Sequence, residues 1–138
     1  SIMDVGGHDT PVASWGEFQW RVNVNKGEVK NRVDGVNYVI QDFMEYEHPS
    51  KYSVVTCLQV MEHLKDDVVK PFAAKLLASG ETVIISVPFE WPEGSCDVHY
   101  QDPVTEEKFK SWFNKEPSTM ITVFEASNWN RILARFDP

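Results

Sequence analysis

The stretch Tyr52–His63, YSVVTCLQVMEH, constrains this chain more than any other. Its short apolar run, with Val54, Val55, Cys57 and Leu58, suits a strand covered on both faces, as in a parallel sheet. The run gives way to the polar residues Gln59–His63, then Leu64, then a charged stretch, Lys65–Lys70, that opens a helix. In open α/β sheets, ligands bind where strands end at their carboxyl edge. Glu62 and His63 therefore fall where a ligand would be met. The competing reading is that they only cap and solvate a strand-to-helix turn.

A chain of 138 residues fits one domain, spanning 1–138, and with 42% hydrophobic residues it can bury a real core. No apolar run approaches the ~20 residues that a membrane helix needs. No basic region followed by an apolar one marks a secretory signal. The chain starts at Ser1 without a methionine, as a processed or trimmed product would. Its net charge of -8 argues against binding to nucleic-acid backbone, which needs clustered Lys and Arg. It leaves room for a neutral or cationic small molecule. Cys57 and Cys96 form no CxxC pair, so a reducing, cytoplasmic setting is expected, with Cys57 packed as a small hydrophobe.

Periodicity predicts strands at Ser1–Val5, Gln19–Val24, Val36–Gln41, Tyr52–Leu58 and Glu81–Val87. Gly6–Pro11 reads as a turn, Val12–Phe18 as a short helix, and Asn25–Gly35 as polar chain with a helical turn. Lys65–Ser79 is the clearest helix, with Val68, Val69, Phe72, Leu76 and Leu77 on one side. Asp66 and Asp67 favour its start and Gly80 its stop. Pro71 suggests that the regular helix begins near it. Phe89–Pro103 is a long irregular loop, a type that is often functional. Thr105–Phe113 reads as a second helix with Thr105 as N-cap. Met120–Glu125 and Arg131–Phe136 form a closing hairpin turned at Ala126–Trp129. The expected fold is α/β: a doubly wound, mostly parallel, seven-stranded sheet with a C-terminal antiparallel hairpin.

Polar residues stand in or just after the first three strands: Asp4, Asn25 and Asp42. Adjacent strand ends converge in space, and carboxylates or amides there accept hydrogen bonds from ribose hydroxyls or an adenine amine. Gly6 and Gly7 let a ligand approach the backbone. Asp9 would repel a pyrophosphate, which favours a nucleoside ligand without phosphates over a dinucleotide.

The order of elements, with Ser1-Ile-Met-Asp-Val-Gly-Gly, Glu62-His63-Leu64 and Ile84-Ile-Ser-Val-Pro88, resembles the class I S-adenosylmethionine-dependent methyltransferases. Among them it is most similar to the small-molecule, type 11-like branch, with a Rossmann-like fold. The resemblance implies that S-adenosylmethionine is the cofactor. It implies that Asp4, Gly6 and Gly7 hold the methionine part, Asn25 meets the ribose and Asp42 the adenine amine. Phe43 would cover the adenine face, and Leu58 and Gln59 would lie near the sulfonium. The implied activity is methyl transfer to a small acceptor. The chain departs from the pattern at His8 and Thr10, where further glycine is usual, and at Asn25, where an acid is usual. It lacks the leading helix and has a short segment between Asp42 and Tyr52. These departures leave open a minimal methyltransferase, a fragment, or a noncatalytic binding or assembly module with the same fold.

His99 lies on the long loop, in Cys96-Asp-Val-His-Tyr-Gln-Asp102, where an imidazole can take a proton from an acceptor. A loop-stabilising histidine is the alternative. Cys96, His99 and Asp102 alone fall short of the four ligands of a structural zinc site, so no metal is expected. Trp15 and Trp91 are candidates for an acceptor cleft, whereas Trp112, at helical spacing, belongs to the core.

Overall fold

The computed structural model describes residues 1–8 and 12–138. Five strands run parallel: β1 (Ile2–Val5), β2 (Arg21–Asn25), β3 (Asn37–Ile40), β4 (Tyr52–Leu58) and β5 (Gly80–Pro88). β6 (Thr119–Val123) and β7 (Arg131–Phe136) add an antiparallel hairpin through β7 against β5. The sheet order is β3-β2-β1-β4-β5-β7-β6. The winding reverses between β1 and β4, which is where open α/β sheets leave a crevice at their carboxyl edge.

The expected sheet is therefore present, with all seven strands and the hairpin. The helices are fewer than the phrase doubly wound suggests. Among the described residues there are two α-helices, α1 (Asp66–Ser79) and α2 (Glu106–Lys110). Val12–Phe18 shows only a 3-10 turn over Val12–Ser14, and Asn25–Gly35 shows no helix. The segment Asn25–Gly35, rich in Gly, Lys and Asn, offers too little apolar surface to offset the cost of nucleating a helix. α1 starts at Asp66 and continues through Pro71, contrary to the expected late start. Pro71 sits on the exposed side, so the carbonyl that its missing N–H leaves free can turn to water.

The buried face of α1 is carried by Val69, Phe72, Ala73 and Leu76, which pack on β4 and β5. Gly80 ends the helix in extended backbone rather than a left-handed cap. A Cβ there would lie 2.8 Å from Val55 Cγ2, so close packing on β4 explains the glycine. α2 is shorter than expected, but Thr105 caps it as expected, its hydroxyl accepting from Lys108 N at 3.1 Å. The following turn carries Trp112 and Phe113 into an aromatic cluster with Phe109 and Phe136. Trp112 is accordingly core. Among the described residues, no helix is long and apolar enough to cross a membrane.

Candidate active site

Parallel pairing sets Asp4 of β1 opposite Asn23 of β2 and Thr56 of β4, giving a row of polar side chains through the buried sheet. Asp4 is enclosed. Its Oδ1 accepts from Thr56 Oγ1 at 2.7 Å, and its Oδ2 from Val12 N at 3.0 Å and Asn23 Nδ2 at 3.2 Å. Burial raises the Asp4 carboxyl above its ordinary value, and the three donors only partly offset this. Asn23 and Thr56 escaped the sequence reading, although a polar residue inside an apolar strand was the available signal.

The sign of this shift gives a testable pH dependence. An acid raised in the folded state favours folding fully below its unfolded value of 3.8, and this contribution is lost as pH rises through the folded value. An asparagine keeps the geometry: its oxygen serves Val12 and Asn23, and its amide donates to the Thr56 hydroxyl. Asp4→Asn is expected to fold with equal or greater stability at neutral pH and to flatten the pH profile above pH 4. Urea melts across pH 4–8 check this; a variant destabilised at neutral pH would show that the charge itself holds the site together.

The glycine turn packs onto its own chain. Gly6 has φ +76 and donates its N–H to Val24 O at 2.8 Å. A Cβ on Gly6 would lie 2.5 Å from Val60 Cγ2, and one on Gly7 only 1.9 Å from Asp4 Oδ2. Asn25 ends β2 with its side chain buried and engaged at both ends. Its oxygen accepts from His8 N at 3.0 Å, and its amide donates to Asn23 Oδ1. The readings made of Asp9 and Thr10 lie outside the described residues.

A cavity of about 460 Å³ opens at the carboxyl ends of β1, β2, β3 and β4. Gly6, Val24, Val60, Leu64 and Phe72 give it apolar walls, with Asp42 and Lys26 at its polar side. Asp42 Oδ1 accepts from Met44 N at 2.9 Å and its Oδ2 from Lys26 Nζ at 3.0 Å. These partners hold its carboxyl below the usual value. A carboxylate has room for further donors. Phe43 is buried, its ring edge-on to Phe72 at 5.0 Å, and Lys75 Nζ lies 5.3 Å from its centre. Of the residues expected to meet a cofactor, Gly6, Asp42 and Phe43 therefore share the cavity wall. Asp4, Gly7, Asn25, Leu58 and Gln59 do not line it. Gln59 has φ +57 and is fixed to β5, its N–H donating to Ser86 O at 2.9 Å and its amide to Ser86 Oγ at 3.1 Å.

The second half of the site is made by a 3-10 turn, Met61–His63, and the long loop clamped over it. Tyr100 N and Gln101 N both donate to Glu62 O, while Gln101 Nε2 donates to Leu64 O at 2.8 Å and Asp66 Oδ1 at 2.9 Å. The clamp carries His99 onto His63, ring centres 4.7 Å apart and nearly perpendicular. Trp91 also stacks on His99, ring centres 5.6 Å apart. His99 Nδ1 bonds Asp102 Oδ2 at 2.7 Å, and both side chains are almost wholly buried. Glu62 is 1% exposed, and burial pushes its carboxyl up to about 8. His63 also lines the cavity and joins the two halves. The convergence of Glu62 and His63 with His99 was invisible in the sequence, because the loop clamp that makes it is tertiary. Trp15 is exposed, while Trp91 belongs to this half.

No protein-family model matches this chain, and no curated protein matches it. Solved structures do match. The methyltransferase domain of a bacterial protein, CtHen1-CN, is 16% identical, with a TM-score of 0.70 over 99% of this chain and 89% of that one. The N-methyltransferase NodS of Bradyrhizobium japonicum, in complex with S-adenosyl-L-homocysteine, is 9% identical, with a TM-score of 0.72 over 98% and 76%. The 1,6-didemethyltoxoflavin-N1-methyltransferase of Burkholderia thailandensis, with 1,6-didemethyltoxoflavin and S-adenosylhomocysteine bound, is 16% identical, with a TM-score of 0.73 over 99% and 71%. The chain has the Rossmann-like fold of the class I methyltransferases.

Proposed function

We propose that this chain is a single-domain, S-adenosylmethionine-dependent methyltransferase acting on a small-molecule acceptor. The observation that carries the reading is Asp42, a carboxylate at the end of β3 on the rim of an apolar cavity at the switch point of the sheet. Apolar walls beside one carboxylate suit an adenine ring and its exocyclic amine. Structures of the same fold hold S-adenosylmethionine or its demethylated product. When bound, the cofactor supplies a methyl group already activated on a sulfonium.

The chain's own part is then to align and to exclude water. Asp42 orients the nucleoside, Phe43 and Phe72 wall it, and Gly6 brings backbone close to it. Asp4 and Gly7 support this end through the buried network. His99 and His63 belong to the acceptor side. With His99 Nδ1 given to Asp102, its Nε2 is the nitrogen left for acceptor chemistry. The net charge of -8 supports an acceptor other than nucleic-acid backbone. The free thiols Cys57 and Cys96 support a cytoplasmic setting.

Calorimetry with S-adenosylmethionine tests the reading. Asp42→Ala is expected to weaken binding by roughly 1.5–3 kcal/mol, or about one to two decades in Kd. An Asp42→Ala chain that binds as well as the wild type would remove the nucleoside from this cavity. The packed glycine turn and the fully engaged Asn25 favour a second reading, a noncatalytic module that keeps the fold. Absence of heat at millimolar ligand with folded protein would establish that reading instead.

A further inference from the structure

We propose that Glu62, His63 and His99 form a binding site for a divalent first-row transition-metal ion, beside the cavity and open to it through His63. One carboxylate and two imidazoles are a donor set suited to Zn, Mn, Fe or Co, and three protein ligands leave positions for an exogenous oxygen. The ligand atoms all lie within 4.8 Å of one another, and His63 Nε2 is 3.9 Å from Glu62 Oε1. Ligands at about 2.1 Å from a tetrahedral ion stand roughly 3.4 Å apart, so small side-chain adjustments complete the site. His63, with its side chain 40% exposed, has the freedom to make them.

The surroundings prepare both imidazoles to be ligands. His63 Nδ1 lies 3.0 Å from Val98 O, a contact in which only a protonated nitrogen can serve, so the lone pair is left on Nε2. His99 Nδ1 is held by Asp102 in the same way. A carboxylate or carbonyl behind each ring is the usual outer shell of a metal-bound histidine. A second, independent observation is an excess of buried oxygen. Glu62 Oε2 and Asp102 Oδ1 are buried with no hydrogen-bond partner among the described residues. An ion at this site would give the buried Glu62 carboxylate the partner it lacks.

The site itself stands on this geometry; only its service to an acceptor oxygen rests on the proposed methyl transfer. With an ion bound, His99 is a ligand rather than a proton acceptor. The test is titration of the metal-stripped full chain with cobalt(II) alone, followed by visible absorption and calorimetry. The expected result is one ion per chain. His63→Ala and His99→Ala are each expected to lower affinity about 100-fold or more, and Asp102→Asn, which disturbs only the outer shell, roughly 10–100-fold. Cys96→Ser is expected to change nothing. A wild-type measurement guards against misfolding of the variants: added manganese(II) should broaden the ring-proton resonances of His63 and His99 but not those of His48. No stoichiometric binding, unselective broadening, or full affinity in folded His63→Ala and His99→Ala would each overturn the proposal. Calorimetry with S-adenosylmethionine on the stripped chain keeps the two ideas separate, since loss of one kind of binding leaves the other standing.

Discussion

Gly7→Ala is expected to unfold this protein more readily than any other single methyl group added to a loop. The new Cβ would stand 1.9 Å from Asp4 Oδ2 and 2.8 Å from Asn23 Nδ2. Neither neighbour can withdraw cheaply, because both are buried in the row that joins β1, β2 and β4. Displacing Asp4 strands a carboxyl that loses bonds to Thr56 and Val12, in addition to the overpacking strain. Together these cost on the order of 4 kcal/mol. The melting temperature should fall by roughly 10–20 °C. Gly27→Ala is the control, since a Cβ there meets nothing within 4 Å. It should change stability by no more than about 0.5 kcal/mol. A Gly7→Ala protein that melts with the wild type would mean that the buried row is looser than its distances indicate.

His99→Ala is expected to lower turnover by ~10²-fold while leaving the affinity for S-adenosylmethionine nearly unchanged. The residue packs against both Trp91 and His63 and does not line the cavity that Asp42 borders. On the proposed function, its loss removes chemistry from the acceptor side and leaves the cavity wall at Asp42 in place. The measurement is release of S-adenosylhomocysteine with whichever small acceptor the wild type methylates, alongside calorimetry for the cofactor. Equal loss of cofactor binding in His99→Ala and Asp42→Ala would show that the two halves of the site have been wrongly divided. Full turnover in His99→Ala would return the residue to a loop-stabilising role. A chelator distinguishes the two uses of Nε2: wild-type turnover survives it if the nitrogen takes a proton, and falls if it holds an ion.

Local chemistry made much of the fold readable. The strands Tyr52–Leu58, expected from its short apolar run, and Arg131–Phe136 have the expected bounds. Thr105 caps its helix because a threonine hydroxyl can reach the N–H three residues on. Pro71 misled because the helix interior tolerates one missing donor on a wet face, a matter of exposure rather than of residue type. The early segments expected to be helical hold only a 3-10 turn at Val12–Ser14 among the described residues, which packs on β1 and β2 without a full helix.

The sequence by itself determined the order of elements and the positions of Asp42 and Phe43 at a strand end, since period-2 runs and turn residues act over a few neighbours. Tertiary structure alone decided what those positions do. Strand register joined Asp4 to Asn23 and Thr56 and turned them inward, packing filled the space beside Gly6 and Gly7, and a loop clamped by Gln101 brought His99 to Glu62 and His63. Such contacts depend on pairing between residues far apart in the chain, and no local pattern encodes which distant side chain will arrive.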